Sequence, residues 1–216
     1  YAALGTATTG SGNTAVGKSA MILTTTASNN VAVGMTSMQN NTTGSYNAAL
    51  GLSSLFNTTT GQRNVGLGAY AAYTTTTGSD NIAIGYEALE LNTTGSNNVA
   101  VGFRCMDDST TGSKNAALGY TALGDNTTGF NNTAVGGQAL QAVTTGQDMT
   151  AIGVHAGLNA TTGVDNIFIG NDAGRSGSPG GNVTTGSNQI CLGNNAITNF
   201  SCQVSLTATS DERDKT

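Results

Sequence analysis

An aliphatic residue followed by glycine recurs every 17 positions along this chain. The column runs Val16, Val33, Leu50, Leu67, Ile84, Val101, Leu118, Val135, Ile152 and Ile169, with Leu192 after a longer step. The whole unit reads N-x-A-[VIL]-G-x-x-A-L-x-x-N-T-T-G-x-x, numbered below from its leading asparagine as positions 1 to 17. The unit from Gly170 to Gly193 is six residues longer and contains Gly177-Ser178-Pro179-Gly180-Gly181. A fixed period of this length is the mark of a stacked-repeat architecture.

Position 2 is also mostly aliphatic (Val31, Val65, Ile82, Val99, Ile167, Ile190). Residues two apart in a strand share a face, so positions 2 and 4 predict one core and position 3 points the other way. Position 3 is nearly always alanine: Ala15, Ala32, Ala49, Ala83, Ala100, Ala117, Ala134 and Ala151. A solvent-facing column would be polar and varied, so this uniform small column predicts close packing by a second copy of the chain. Positions 8 and 9 (Ala88-Leu89, Ala122-Leu123, Ala139-Leu140) predict a further buried contact. Glycines at positions 5 and 15 predict corners with positive φ. No stretch between glycines leaves room for a helix of more than about two turns. The expected fold is all-β: a repetitive parallel β-solenoid or β-roll of 17-residue rungs over residues 1–193, with two or three short strands per rung. Eleven rungs at about 4.8 Å give a rod of roughly 50 Å. So thin a rung encloses little apolar volume, a second reason to expect oligomerisation.

Composition removes several function classes. Charged residues are 9% of the chain, tryptophan is absent, and the net charge is −5. Seven Lys+Arg supply no basic surface for nucleic acid. No apolar run approaches the roughly 18 residues of a membrane span. The chain opens at Tyr1 with neither a start methionine nor a leader, and so reads as a fragment. Cys105, Cys191 and Cys202 make an odd count. The first two fall five repeats apart, roughly 24 Å, and predict reduced, buried residues. No Cys/His cluster has ligand spacing, so neither a metal nor a cofactor is expected.

Candidate chemistry is sparse. Asp148 and Asp165 both occupy position 17 on adjacent rungs, about 5 Å apart, the separation that retaining glycosidases use. The same column holds Asn29, Asp80, Asn97, Asn131 and Asn188, which reads as a series of corner residues. His155, the single histidine, lies in the variable column at position 7, and Asp107-Asp108, Glu87 and Glu90 read as solvated. Paired threonines at positions 13 and 14 invite an ice-binding array, but adjacent extended residues face opposite ways. Tyr86, Phe103 and Tyr120 share position 6 on three successive rungs, and such a column either packs a subunit seam or stacks on sugar rings. The Gly177–Gly181 stretch predicts a projecting loop.

The string N-x-A-[VI]-G-x-x-A resembles the head repeats of trimeric autotransporter adhesins, and the N-T-T-G version resembles repeats of bacteriophage tail-fibre proteins. The C-terminal run from Ala196-Ile197-Thr198-Asn199-Phe200 through Val204-Ser205-Leu206-Thr207-Ala208-Thr209 leads into Ser210-Asp211-Glu212-Arg213-Asp214-Lys215. It resembles the junction before the intramolecular-chaperone peptidase domain of endosialidases and tail fibres, which begins S-D-x-R-x-K. The resemblance implies an intertwined homotrimeric fibre in the virion, assembled in the host cytoplasm, with other fibre segments and a host surface receptor, such as a glycan, as partners. It implies no membrane insertion, no nucleic-acid partner and no enzyme beyond self-cleavage at Ser210–Asp211, with Ser210 as nucleophile and Lys215 assisting. On this reading 1–193 is the shaft, 194–209 a β-rich junction and 210–216 the start of the chaperone segment. A cell-surface adhesin head, an ice-binding solenoid and a polysaccharide depolymerase are the alternatives.

Overall fold

The computed structural model describes residues 2–5, 8–178 and 181–199. Each repeat contributes one three-residue strand: β1 (Thr14–Val16), β2 (Val31–Val33), β3 (Ala48–Leu50), β4 (Val65–Leu67), β5 (Ile82–Ile84), β6 (Val99–Val101), β7 (Ala116–Leu118), β8 (Thr133–Val135), β9 (Thr150–Ile152), β10 (Ile167–Ile169) and β11 (Ile190–Leu192). They form one parallel sheet in sequence order. Equivalent positions pair throughout, as in Ala83 with Ala100 and Val99 with Ala116. The step is 17 residues except from β10 to β11, where Phe168 pairs with Cys191 and the longer unit is absorbed outside the sheet. This is the expected all-β solenoid, with one strand per rung where two or three were expected.

The rest of each rung is held by bonds between rungs that are not strand ladders. Positions 7 and 9 take left-handed backbone on rung after rung, as at Glu87 (φ 54) and Leu89 (φ 56), or Arg104 (φ 49) and Met106 (φ 56). Left-handed backbone costs a non-glycine residue about 1–2 kcal/mol. Here it turns two adjacent side chains inward, where an extended segment would separate them. Ala88 and Leu89 are both fully buried, as the sequence predicted for positions 8 and 9. The amides released by the turn bond to both neighbouring rungs: Glu87 N donates to Ala69 O (3.1 Å) and Leu89 N to Cys105 O (2.9 Å).

The faces of the strand are the reverse of those predicted. Position 3 is the interior: Ala32, Ala83, Ala100, Ala134 and Ala151 are fully buried, Ala49 and Ala117 are 2% exposed, and Ala15 is partly buried. The alanines therefore line the chain's own core and offer no surface to a second copy. Positions 2 and 4, expected to be core, face outward: Val31 is 45% exposed and Leu50 49%. The reason is volume. On most rungs the strand lies against a buried Leu or Met at position 9, as Gly66 does against Leu55, and little more than a methyl group fits between them. Where position 3 is Phe168, position 9 becomes glycine (Gly157 and Gly174), and a Cβ on either would collide with the Phe168 ring.

The two glycine columns also differ. Position 5 has the positive φ expected of a corner, as at Gly102 (φ 144). Position 15 does not. A Cβ on Gly44, Gly61 or Gly95 would run into the glycine carbonyl of the next rung, so close backbone approach favours glycine on these rungs, although the first carries Ala27. Buried asparagines at position 1 tie the rungs together. Asn98 Oδ1 accepts from Asn115 N (3.0 Å), while Asn98 Nδ2 donates to Gly112 O (2.8 Å).

Candidate functional site

The outward sheet face is a charge-free strip. Position 4 is aliphatic on all eleven strands, and position 2 adds only Val, Ile, Ala and Thr. Val16, Val99, Leu118, Ile152, Ile169 and Ile190 are all exposed. Around β2 to β4 the strip is dished into a groove lined by Val31, Val33, Leu50, Val65 and Leu67. The sequence names these residues but places them in the core, because a period of two identifies which residues share a face and not which face is inside.

A second feature is a continuous chain of six aromatic rings over five rungs. Phe56 stacks on Tyr73 (centroids 5.1 Å apart), Tyr73 meets Tyr70 edge-on (5.8 Å), and Tyr70 meets Tyr86 edge-on (6.1 Å). Tyr86, Phe103 and Tyr120 then stack nearly parallel at 5.5 and 5.6 Å. The repeat spacing predicts the last three as a column. It does not find Phe56, Tyr70 and Tyr73, which stand at positions 7 and 10, neighbours only because the chain turns there. Of the three rings in the position 6 column, Tyr86 and Phe103 have ring neighbours on both sides, which leaves Tyr120, at that end of the ladder, as the one with a face open to a sugar.

Beside the ladder the charged residues form a network. Arg104 bridges Asp107 (2.7 Å) and Glu87 (3.4 Å). Asp107, expected to be solvated, is buried, and burial raises its carboxyl above the ordinary range, as it does those of Glu90 and Asp125. The Tyr86 phenol is raised first by its hydrogen bond to Glu87, which brings the position 6 and position 7 columns into contact. Two rungs further on, the same columns carry a separate polar line. Gln138 Nε2 donates to Gln141 Oε1 (2.7 Å), and His155 links Gln138 Oε1 (2.9 Å) to Asp172 Oδ1 (3.1 Å). Arg175 closes on the same Asp172 oxygen, and this hydrogen bond holds the Asp172 carboxyl below its ordinary range. His155, expected in a variable solvated column, is a half-buried member of this line. Among the described residues no group of three His, Cys, Asp or Glu could hold a metal ion.

Asp148 and Asp165 sit in the position 17 column, both at φ 56. Asp148 accepts from Asn131 Nδ2 (2.9 Å). The column is unified by left-handed backbone, which it shares with Tyr46, Arg63 and Lys114, and not by acidity. The position 13 threonines donate their hydroxyls to the next rung, as in Thr93 Oγ1 to Thr110 O (3.0 Å), and only position 14 faces out. Cys105 and Cys191 are buried and free, and burial pushes the Cys105 thiol up to about 12. The expected loop near Gly177 is pinned by Ser178 N to Arg175 O (2.9 Å). Of the junction, 194–199 hold a turn at Asn195-Ala196. Ser210, Lys215 and Cys202 lie outside the described residues. Among those described, no helix is long and apolar enough to cross a membrane.

No family model, no curated protein and no solved structure matches this chain.

Proposed function

We propose that this chain is a shaft segment of a homotrimeric fibre whose three copies bury their aliphatic sheet faces around a common axis, and that the fibre is a bacteriophage tail fibre that carries host-binding parts outward. The observation behind the assembly is the exposed strip of positions 2 and 4. Scattered apolar side chains are ordinary on a surface, whereas a continuous apolar patch marks an interface. Each copy offers the same strip, so identical copies can cover one another without a different partner. The virion role rests on the likeness of Ser210–Lys215 to the self-cleaving junction of tail fibres. The partners are then further copies of the chain, other fibre segments and a host surface receptor.

The test is native mass spectrometry, with a denaturing control, on the chain extended through its downstream coding sequence. The expected result is a trimer of chains ending at Ser210, and uncut chains when Ser210→Ala or Lys215→Ala is introduced. An intact monomer overturns the proposal. A trimer with no cut after Ser210 overturns the tail-fibre reading in favour of an adhesin head, which shares the face but not the junction.

A further inference from the structure

The aromatic ladder ends in a gap. Position 6 is Tyr86, Phe103 and Tyr120 on three successive rungs, then Gly137, then Val154. The backbone continues unbroken beneath it: Gln138 N donates to Tyr120 O (2.8 Å), and His155 N to Gly137 O (2.9 Å). A Cβ built on Gly137 would meet no atom within 4 Å. Tyr120 is 58% exposed and Val154 48%. The two are two rungs apart, about 9.6 Å at the rung spacing of about 4.8 Å. That is room for one ring, at the spacing the ladder itself uses.

Gly137 is not required by the backbone, because it has no positive φ and the same column holds Leu52 and Val154 on other rungs. Its smallness serves the opening. The edge of the slot is the neighbouring column at position 7, which follows position 6 directly along the chain on every rung. At this level that column is Gln138 on the same rung and His155 on the next, each held in orientation by the polar line through Gln141 and Asp172. An apolar ring face beside fixed planar amide and imidazole groups matches a pyranose, which presents C–H bonds on its face and hydroxyls on its rim. The charged members of the line, Asp172 and Arg175, pair with each other, so the site favours a sugar without charge.

We propose that the gap over Gly137 is a binding slot for one neutral hexopyranose ring, stacked on Tyr120 with its hydroxyls toward the Gln138 amide. That amide keeps a second N–H and a second carbonyl lone pair, while both His155 nitrogens are taken up in holding it in place. The slot deepens the receptor-binding part of the proposed function, yet it lies within a single chain and needs no particular assembly.

The probe is a set of methyl hexopyranosides (of glucose, galactose, mannose and N-acetylglucosamine) in saturation-transfer NMR at millimolar concentration, alongside sedimentation to record the oligomeric state. We expect saturation transfer to the ring C–H protons of one or more members, falling roughly tenfold in both Tyr120→Ala and Gly137→Tyr. Phe130→Ala, on a different column, should leave it unchanged. Gly137→Leu introduces the side chain that this column already carries at Leu52, and gives the same block with a smaller group should the tyrosine variant fail to fold. Transfer from none of the four sugars, or transfer that survives Gly137→Tyr or Gly137→Leu, overturns the slot. Sedimentation reads the fibre assembly separately, so either idea can fail alone.

Discussion

Phe168 shows how tightly one residue is tied to another across the roll. It is the largest fully buried side chain and stands where most rungs carry alanine. Its ring takes the volume that leucine or methionine fills elsewhere, and Gly157 and Gly174 make the room. Both glycines have left-handed backbone (φ 62 and 74), and Leu89 and Leu123 adopt the same region at the same position (φ 56 and 52). A leucine at position 9 is therefore limited by the ring and not by the backbone. Phe168→Ala should cost about 3–5 kcal/mol in urea denaturation, because the vacated space is too rigidly framed to collapse. Gly174→Leu alone should also destabilise, through overpacking. Combined, the two changes should restore part of the loss, since Ala opposite Leu is the arrangement of the other rungs. Additive losses in the double variant would show that the two positions do not exchange volume.

At the scale of the rung, the asparagine ladder fixes the stacking as directly as the strands do. A position 1 asparagine satisfies the position 15 carbonyl of its own unit and the amide that opens the next unit, as Asn98 does for Gly112 and Asn115, and both bonds are buried. Asn98→Ala would leave Asn115 N and Gly112 O without these bonds, and each buried unsatisfied group costs about 1–3 kcal/mol. A loss of about 2–4 kcal/mol in urea denaturation is expected from Asn98→Ala. Exposed Asn97→Ala, one residue away, should cost much less. The period, the position 5 corners and the buried pair at positions 8 and 9 were legible in the sequence, because residue type and spacing determine them. The inside of the strand was not. Alternation is symmetric between two faces, and the choice was made by the bulk of position 9, a residue six positions further on. The left-handed sites at positions 7, 9 and 17 were equally hidden, since Leu, Met, Tyr and Arg rarely adopt that backbone. The Tyr120 end of the ladder was visible, but its open face depends on Gly137, whose meaning emerges only once the rungs are stacked.

For the whole molecule, each strand contacts only the strands before and after it, so stability accumulates rung by rung. A rung whose strand contributes one alanine to the core has little apolar surface to hide within its own chain. The larger aliphatic groups lie on the outside, and this inversion moves the case for assembly from the alanines to the strip of positions 2 and 4. Leu118 is 50% exposed near the middle of that strip, and Leu91 is 41% exposed on a turn of another rung. Both can accept a glutamate without disturbing the core of the single chain. In a trimer built on the sheet face, Leu118→Glu would bring three carboxylates together at one level of the axis, each desolvated and without a partner cation. Sedimentation velocity should then show Leu118→Glu as a folded monomer and Leu91→Glu as a trimer like the parent, with circular dichroism unchanged in both. If Leu91→Glu dissociated the assembly and Leu118→Glu did not, the copies would meet through their turns, and the aliphatic strip would need a different partner.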